Sequence, residues 1–135
     1  MKGEVRLIIE IDTQGAQPIY EQLRDQVVFG IADGRLAAGE ALPSVRRLAA
    51  DLGINFHTVN KAYTLLAAEG YIAIDRRRGA VVARSADSGF VPKFVGQLTL
   101  CAAQALCHRM AEEDFIELCR GCYRQAQEGG PQWKK

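Results

Sequence analysis

"PSVRRLAADLGINFHTVNKAYTLLAAEG", residues 43–70, holds two helical patterns separated by a tight turn. Ser44, just after Pro43, has the short oxygen-bearing side chain that caps a helix N-terminus. Val45, Leu48, Ala49 and Leu52 follow at i, i+3, i+4, i+7 and mark the apolar face of a short helix. Its other face carries Arg46, Arg47 and Asp51, and Gly53 ends it. Asn55 is the next N-cap, opening a helix that runs to about Glu69. Val59, Ala62, Tyr63 and Leu66 form its buried stripe. His57, Asn60, Lys61 and Thr64 lie on the opposite stripe at the same spacing, and Gly70 is the stop.

The flanks extend this pattern. "VRLIIEID" (5–12) predicts a short strand, and "TQGAQP" breaks it. Pro18 suits the first turn of a helix, because its missing N–H would be unpaired there. That helix runs to about Asp33 with Ile19, Leu23, Val27 and Ile31 on one face, and Gly34 stops it. "RLAAGEALPS" is a turn-rich link. After Gly70, "YIAI" and "AVVA" flank "DRRRG", two β-prone runs joined by a glycine-containing turn, which predicts a hairpin. Arg76, Arg77 and Arg78 sit at its tip. "RSADSG" (84–89) is a linker of small residues. Beyond it Phe94, Leu98, Cys101, Ala105 and Met110 recur at helical spacing. A last helix spans about Glu112 to Gln127, with acids in its first turn, as the helix dipole favours. Its apolar face holds Phe115, Leu118, Cys119 and Cys122. No internal repeat is present.

The 135 residues and formal charge of +1 suit one small domain with an appendage. No uninterrupted apolar run reaches the roughly 18 residues of a membrane helix. Acids break the N-terminal apolar stretch too early for a signal peptide. A cytoplasmic protein without membrane association is the expectation. Residues 17–84 hold nine Lys/Arg against seven Asp/Glu, and residues 85–135 hold six of each, so the excess of two cations lies in the first region. A local basic cluster on a near-neutral chain is compatible with nucleic acid.

Helix, short helix, tight turn, helix and basic hairpin, in that order, make a winged helix-turn-helix. The fold class expected is mostly α with a small β-wing, followed by a two-helix C-terminal dimerisation segment. A polar stripe on a helix, or three arginines at a turn, is ordinarily a solvated face. Here they fall together on the one surface such a motif presents. An α-helix fits the B-DNA major groove, so Asn60 is placed to pair with adenine and Lys61 with guanine or phosphate. Thr58 and His57 suit phosphates or base edges near the helix start, and Phe56 suits a thymine methyl. Arg76, Arg77 and Arg78 suit phosphates or the adjacent minor groove. The chain shows no glycine-rich phosphate loop, nucleophile elbow or paired carboxylates, so no enzyme and no cofactor is expected.

Positions 18–72 resemble the GntR family of bacterial transcription regulators. The family pattern is matched at Leu42, Pro43, Ser44, Arg46, Leu48, Ala49, Leu52, Gly53, Thr58, Val59, Ala62, Tyr63, Leu66, Glu69, Gly70 and Ile72. The resemblance implies DNA contacts from Arg46, from Asn55 to Thr58 and from Lys61, with Gly79 as the wing glycine; Ser44 and Arg47, at the same helix start, are further candidates for DNA contact. The family often has Pro or Arg where Phe56 stands. Its wing usually reads close to "GxGTF", whereas here it reads "RRGAV", so this wing grips more by charge. The short tail and the leading "LIIEID" resemble the YtrA subfamily, which implies a homodimer and repression of an operon that includes the regulator's own gene, often with transporter genes. Two amphipathic helices cannot bury both apolar faces alone, and a second copy would cover them. A two-fold dimer reads an inverted repeat in double-stranded DNA.

The expected layout is a DNA-binding domain over 1–84, a linker over 85–90 and a helical dimerisation tail over 91–128. That tail looks too short to enclose an effector pocket of the usual size, about 300 Å³ or more. The four cysteines, Cys101, Cys107, Cys119 and Cys122, all lie in the tail. "CRGC" (119–122) admits a second reading as a thiol-based metal or redox sensor, with Cys107 and His108 joining Cys119 and Cys122. Zinc sites usually place such a pair on a knuckle rather than mid-helix, and free cysteine is a common small apolar residue.

Overall fold

A computed structural model describes residues 9–84 and 89–130. The helices are α1 (Ile19–Ala32), α2 (Val45–Leu52), α3 (Phe56–Ala68), α4 (Phe90–Cys107) and α5 (Glu112–Gln127); the strands are β1 (Ile72–Asp75) and β2 (Gly79–Val82). This is a winged helix-turn-helix followed by two C-terminal helices.

Each helix start in the motif has a chemical cause. The Ser44 hydroxyl accepts from the Arg47 amide at 3.1 Å, and the Asn55 side chain accepts from the His57 amide at 2.7 Å. Between the two helices Gly53 takes φ +67°, a left-handed turn that costs glycine nothing and a side chain more than about 1 kcal/mol. Apolar burial sets the rest. Val59, Ala62 and Leu66 on α3 have no accessible surface, and Leu23, Val27, Leu36, Leu48 and Ile72 close around them. Truncating one of these leucines or Ile72 to alanine costs about 2–5 kcal/mol.

Polar groups lock the arrangement. The Tyr63 hydroxyl donates to the Pro43 carbonyl at 2.7 Å, so α3 holds the residue that precedes the cap of α2. Burial pushes the Tyr63 phenol above its ordinary range, which keeps it a neutral donor. Arg24 of α1 grips Glu69 at the end of α3 through two bonds, 2.8 and 3.1 Å, and reaches Asp25 at 2.9 Å. The Glu69 bond is the main cause that holds Arg24 firmly protonated, with burial opposing it.

The wing is an antiparallel hairpin with Asp75 paired to Gly79. Its turn is organised by the Asp75 carboxylate, which accepts from the amides of Arg77 at 2.8 Å and Arg78 at 3.2 Å. Those two bonds hold the carboxyl below its usual range. Gly79, at φ +77°, completes the reversal. The link between α1 and α2, expected to be turn-rich only, also borders the sheet. Ala41 bridges Val81, and the Leu42 amide donates to the Ala80 carbonyl at 2.8 Å. A single bridge leaves no local sequence pattern, which is why it was not foreseen.

The expected strand over 5–12 is corrected in part. Residues 5–8 lie outside the described residues, and residues 9–12 form no strand. Their backbone is instead satisfied by side chains of α1. The Gln26 amide both receives from Glu10 N and donates to its carbonyl, at 3.0 and 2.6 Å. Gln22 does the same for Asp12 at 2.8 and 2.9 Å. Residues four apart on a helix rise about 6 Å, close to two residues of extended chain, so one helix face can serve alternate backbone positions.

In the tail, α4 begins at Phe90, inside the expected linker, whose residues 85–88 lie outside the described residues. No residue of α4 or α5 is buried, and Val91, Val95, Leu100, Leu106 and Leu118 are more than half exposed. The helices are joined by a turn in which Arg109 takes φ +61°, a position usually held by glycine. The far end of α5 returns to the head, where Gly130 packs on the Phe29 ring of α1.

No uninterrupted apolar run reaches membrane-spanning length, yet one whole helix passes on average. By length and composition alone, α4 can cross a membrane, because its 18 residues average apolar despite Lys93, Gln97, Thr99 and Gln104.

Two outcomes follow for stability. Tyr63→Phe should lower unfolding free energy by about 1 kcal/mol, read by chemical denaturation, since a part-buried carbonyl loses its donor. Arg109→Gly should raise it by a similar ~1 kcal/mol, as relief of the left-handed strain exceeds the added chain entropy. A drop in stability on that second change would show that the turn is not strained.

Candidate nucleic-acid interface

The exposed face of the helix-turn-helix is built from two helix starts. Ser44, Arg46 and Arg47 come from the first turn of α2 and its cap. Asn55, Phe56, His57, Asn60 and Lys61 come from α3 and its cap, and all of these are exposed. Thr58 is half-buried at the inner edge of the same surface. Thr64 continues the outer stripe, while Val59, Ala62, Tyr63 and Leu66 face inward. Both periodic stripes read from the sequence therefore fall where expected.

The cations on this surface are held in different ways. The Arg46 guanidinium carbon lies 5.3 Å from the centroid of the Phe56 ring. That ring meets His57 edge-on at 5.5 Å and 86°. Lys61 Nζ sits 4.1 Å over the Tyr20 ring of α1. Arg47 faces Asp51 one turn on, at 3.7 Å, an exposed pair worth a few tenths of a kcal/mol, roughly. Stacking on a ring leaves a cation's charge uncancelled, whereas a carboxylate partner would neutralise it. Arg24 shows the contrast. Its charge is spent within the protein on Glu69 and Asp25.

The wing arginines divide. Arg78 turns back and donates to the Gly39 carbonyl at 2.6 Å, tying the hairpin to the α1–α2 link. The Arg84 guanidinium covers the same glycine. Arg76 and Arg77 project from the exposed tip beside Gly79. Tyr20 and Gly39 were not foreseen as parts of this surface. Each lies tens of residues from the side chain it supports, so no local spacing signals it.

The metal candidates Cys107, His108, Cys119 and Cys122 are not gathered into a site. Among the described residues no three His, Cys, Asp or Glu groups are placed to hold a metal. Cys101, Cys107 and Cys122 are exposed, Cys119 is half-buried, and all four are free thiols. A hollow of about 410 Å³ beside Glu112, Glu113, Ile116 and Arg120 is open to solvent rather than enclosed.

Comparison with known proteins places this geometry. Residues 19–82 match the family described as "Bacterial regulatory proteins, gntR family". The HTH-type transcriptional repressor YtrA of Bacillus subtilis is 37% identical over 97 residues, which span 72% of this chain and 72% of that protein. The solved structure of YtrA from Sulfolobus acidocaldarius, a GntR-family transcription factor, is 35% identical with a TM-score of 0.58, covering 87% of this chain and 97% of that one. AraR(DBD), solved in complex with operator ORX1, is 25% identical with a TM-score of 0.51, covering 56% of this chain and 96% of that one. The motif and the wing are thus shared with transcription regulators. This chain belongs to the gntR family of bacterial regulatory proteins, in its YtrA-like branch, and is a DNA-binding transcription regulator.

Proposed function

We propose that this chain is a dimeric repressor of the cytoplasm that reads an inverted-repeat operator, its own operon among the targets. The observation that carries the reading is the outer stripe of α3. Asn60, Lys61 and His57 are exposed on a helix whose opposite stripe is wholly buried, beside the exposed Arg46 and Arg47. In this reading α3 enters the major groove, where Asn60 pairs with an adenine edge and Lys61 leaves Tyr20 for guanine or phosphate. Ser44, Arg47, Asn55, His57 and Thr58 meet the backbone near the two helix starts. Arg76 and Arg77 bind phosphates or the adjacent minor groove, and Arg78 and Gly79 hold the wing in shape. AraR(DBD) in complex with its operator and the repressor function of Bacillus YtrA support this reading by likeness.

The division proposed is a DNA-binding unit over 1–84, a linker over 85–90 and a dimerisation tail over 91–128. The tail carries the dimer argument. Phe90 and Phe94 stack at 4.9 Å on a helix without one buried residue. A second copy covers such a face most simply, and two-fold pairing sets two heads on successive half-sites.

Selection from random duplex DNA at about 0.15 M salt should enrich an inverted repeat that also occurs upstream of the chain's own gene. Recovery of no motif, with weak and steeply salt-dependent binding, would overturn the sequence-reading role. Leu98→Asp should shift the protein from dimer to monomer in sedimentation and weaken operator binding by about a hundredfold or more, since the second head is no longer tethered. A wild-type monomer, or recovery only with membranes, would sink the dimer reading.

A further inference from the structure

Phe56 was expected to meet a thymine methyl, yet its ring already has a different occupation. It stands first on α3, 38% exposed, with the Arg46 guanidinium over it at 5.3 Å and the His57 ring against it at 5.5 Å. Arg46 makes no bond to a carboxylate or carbonyl among the described residues, so the ring is what orients it. The two residues come from different helices. Their approach is fixed by the Gly53 turn and by the Tyr63–Pro43 bond, which set the start of α2 against α3.

A guanidinium is planar, and its five N–H groups point outward in that plane. A position over the ring face leaves those donors available. An arginine held this way meets a phosphate or a guanine edge without first freezing a long flexible stem, which is the advantage of preorganisation. We propose that Phe56 is a positioning residue for DNA binding. Its ring, steadied by His57, holds Arg46 in the orientation from which its N–H groups engage the duplex. This rests on the DNA-binding reading of Arg46 above and assigns Phe56 a role through that arginine rather than through a base.

A double-mutant cycle tests it, with the full chain bound to a mixed-sequence duplex and to the operator recovered by selection. Phe56→Leu should weaken binding about threefold to fivefold in the native background, the upper range of an exposed cation–π contact. With Arg46→Ala already present it should change binding by less than about twofold, because the partner is gone. Phe56→Tyr should restore affinity, and thermal unfolding of the free protein should stay unchanged. Without DNA, the proton signals of the Arg46 side chain should be displaced by the ring current in the native protein and revert in Phe56→Leu.

Equal losses in both backgrounds, with weakened preference for thymine at one position, would overturn the proposal in favour of direct contact. Absence of the ring-current displacement would overturn the stack. Failure of the native protein to bind any duplex would overturn the DNA reading itself and this role with it. A loss that follows a lowered melting temperature and is not rescued by Phe56→Tyr would make Phe56 merely structural.

Discussion

The buried seam of α3 is the constraint on which the remainder depends. Val59, Ala62 and Leu66 lose all contact with water, and Tyr63 nearly all. Burying one side of a helix fixes its rotation about its own axis, because turning it would expose those residues and bury polar ones. The rotation decides which side chains face outward, so a hydrophobic requirement places His57, Asn60 and Lys61. Tyr63 adds a polar pin. Its hydroxyl reaches the Pro43 carbonyl, and the relation between α2 and α3 becomes a matter of geometry as well as burial.

Charge is deployed on this frame with a clear division. Arg24 is paired by carboxylates and joins α1 to α3. Arg46 and Lys61 are held by aromatic rings, and Arg78 by a carbonyl. Rings and carbonyls orient a cation without cancelling it. The surface of a near-neutral protein thereby keeps positive charge on the face proposed to meet DNA, which net charge alone does not reveal.

The tail follows a different logic. Its helices have apolar faces but no buried residue, and beyond the end of α5 Gly130 fits against Phe29 of the head. In the proposed two-fold assembly, the head with its complete core supplies the reading surface, and the tail, whose apolar faces stay exposed, supplies the reason for two copies.

Much of this was legible in the chain. The caps Ser44 and Asn55, the Gly53 turn, the two stripes of α3, the hairpin with its arginine tip and the tail helices are all local patterns, written in spacings of one to seven residues. The sequence by itself determined these because backbone capping, left-handed turns and helical periodicity act between near neighbours. The tertiary structure decided the rest. It replaced the expected N-terminal strand, where described, with chain held by Gln22 and Gln26. It also bridged Ala41 to the wing, set Lys61 on Tyr20 and Arg78 on Gly39, and stacked Arg46 on Phe56. Each of these contacts joins residues that no short-range rule relates. They meet only once the seam of α3 has brought α1, α2 and the wing together.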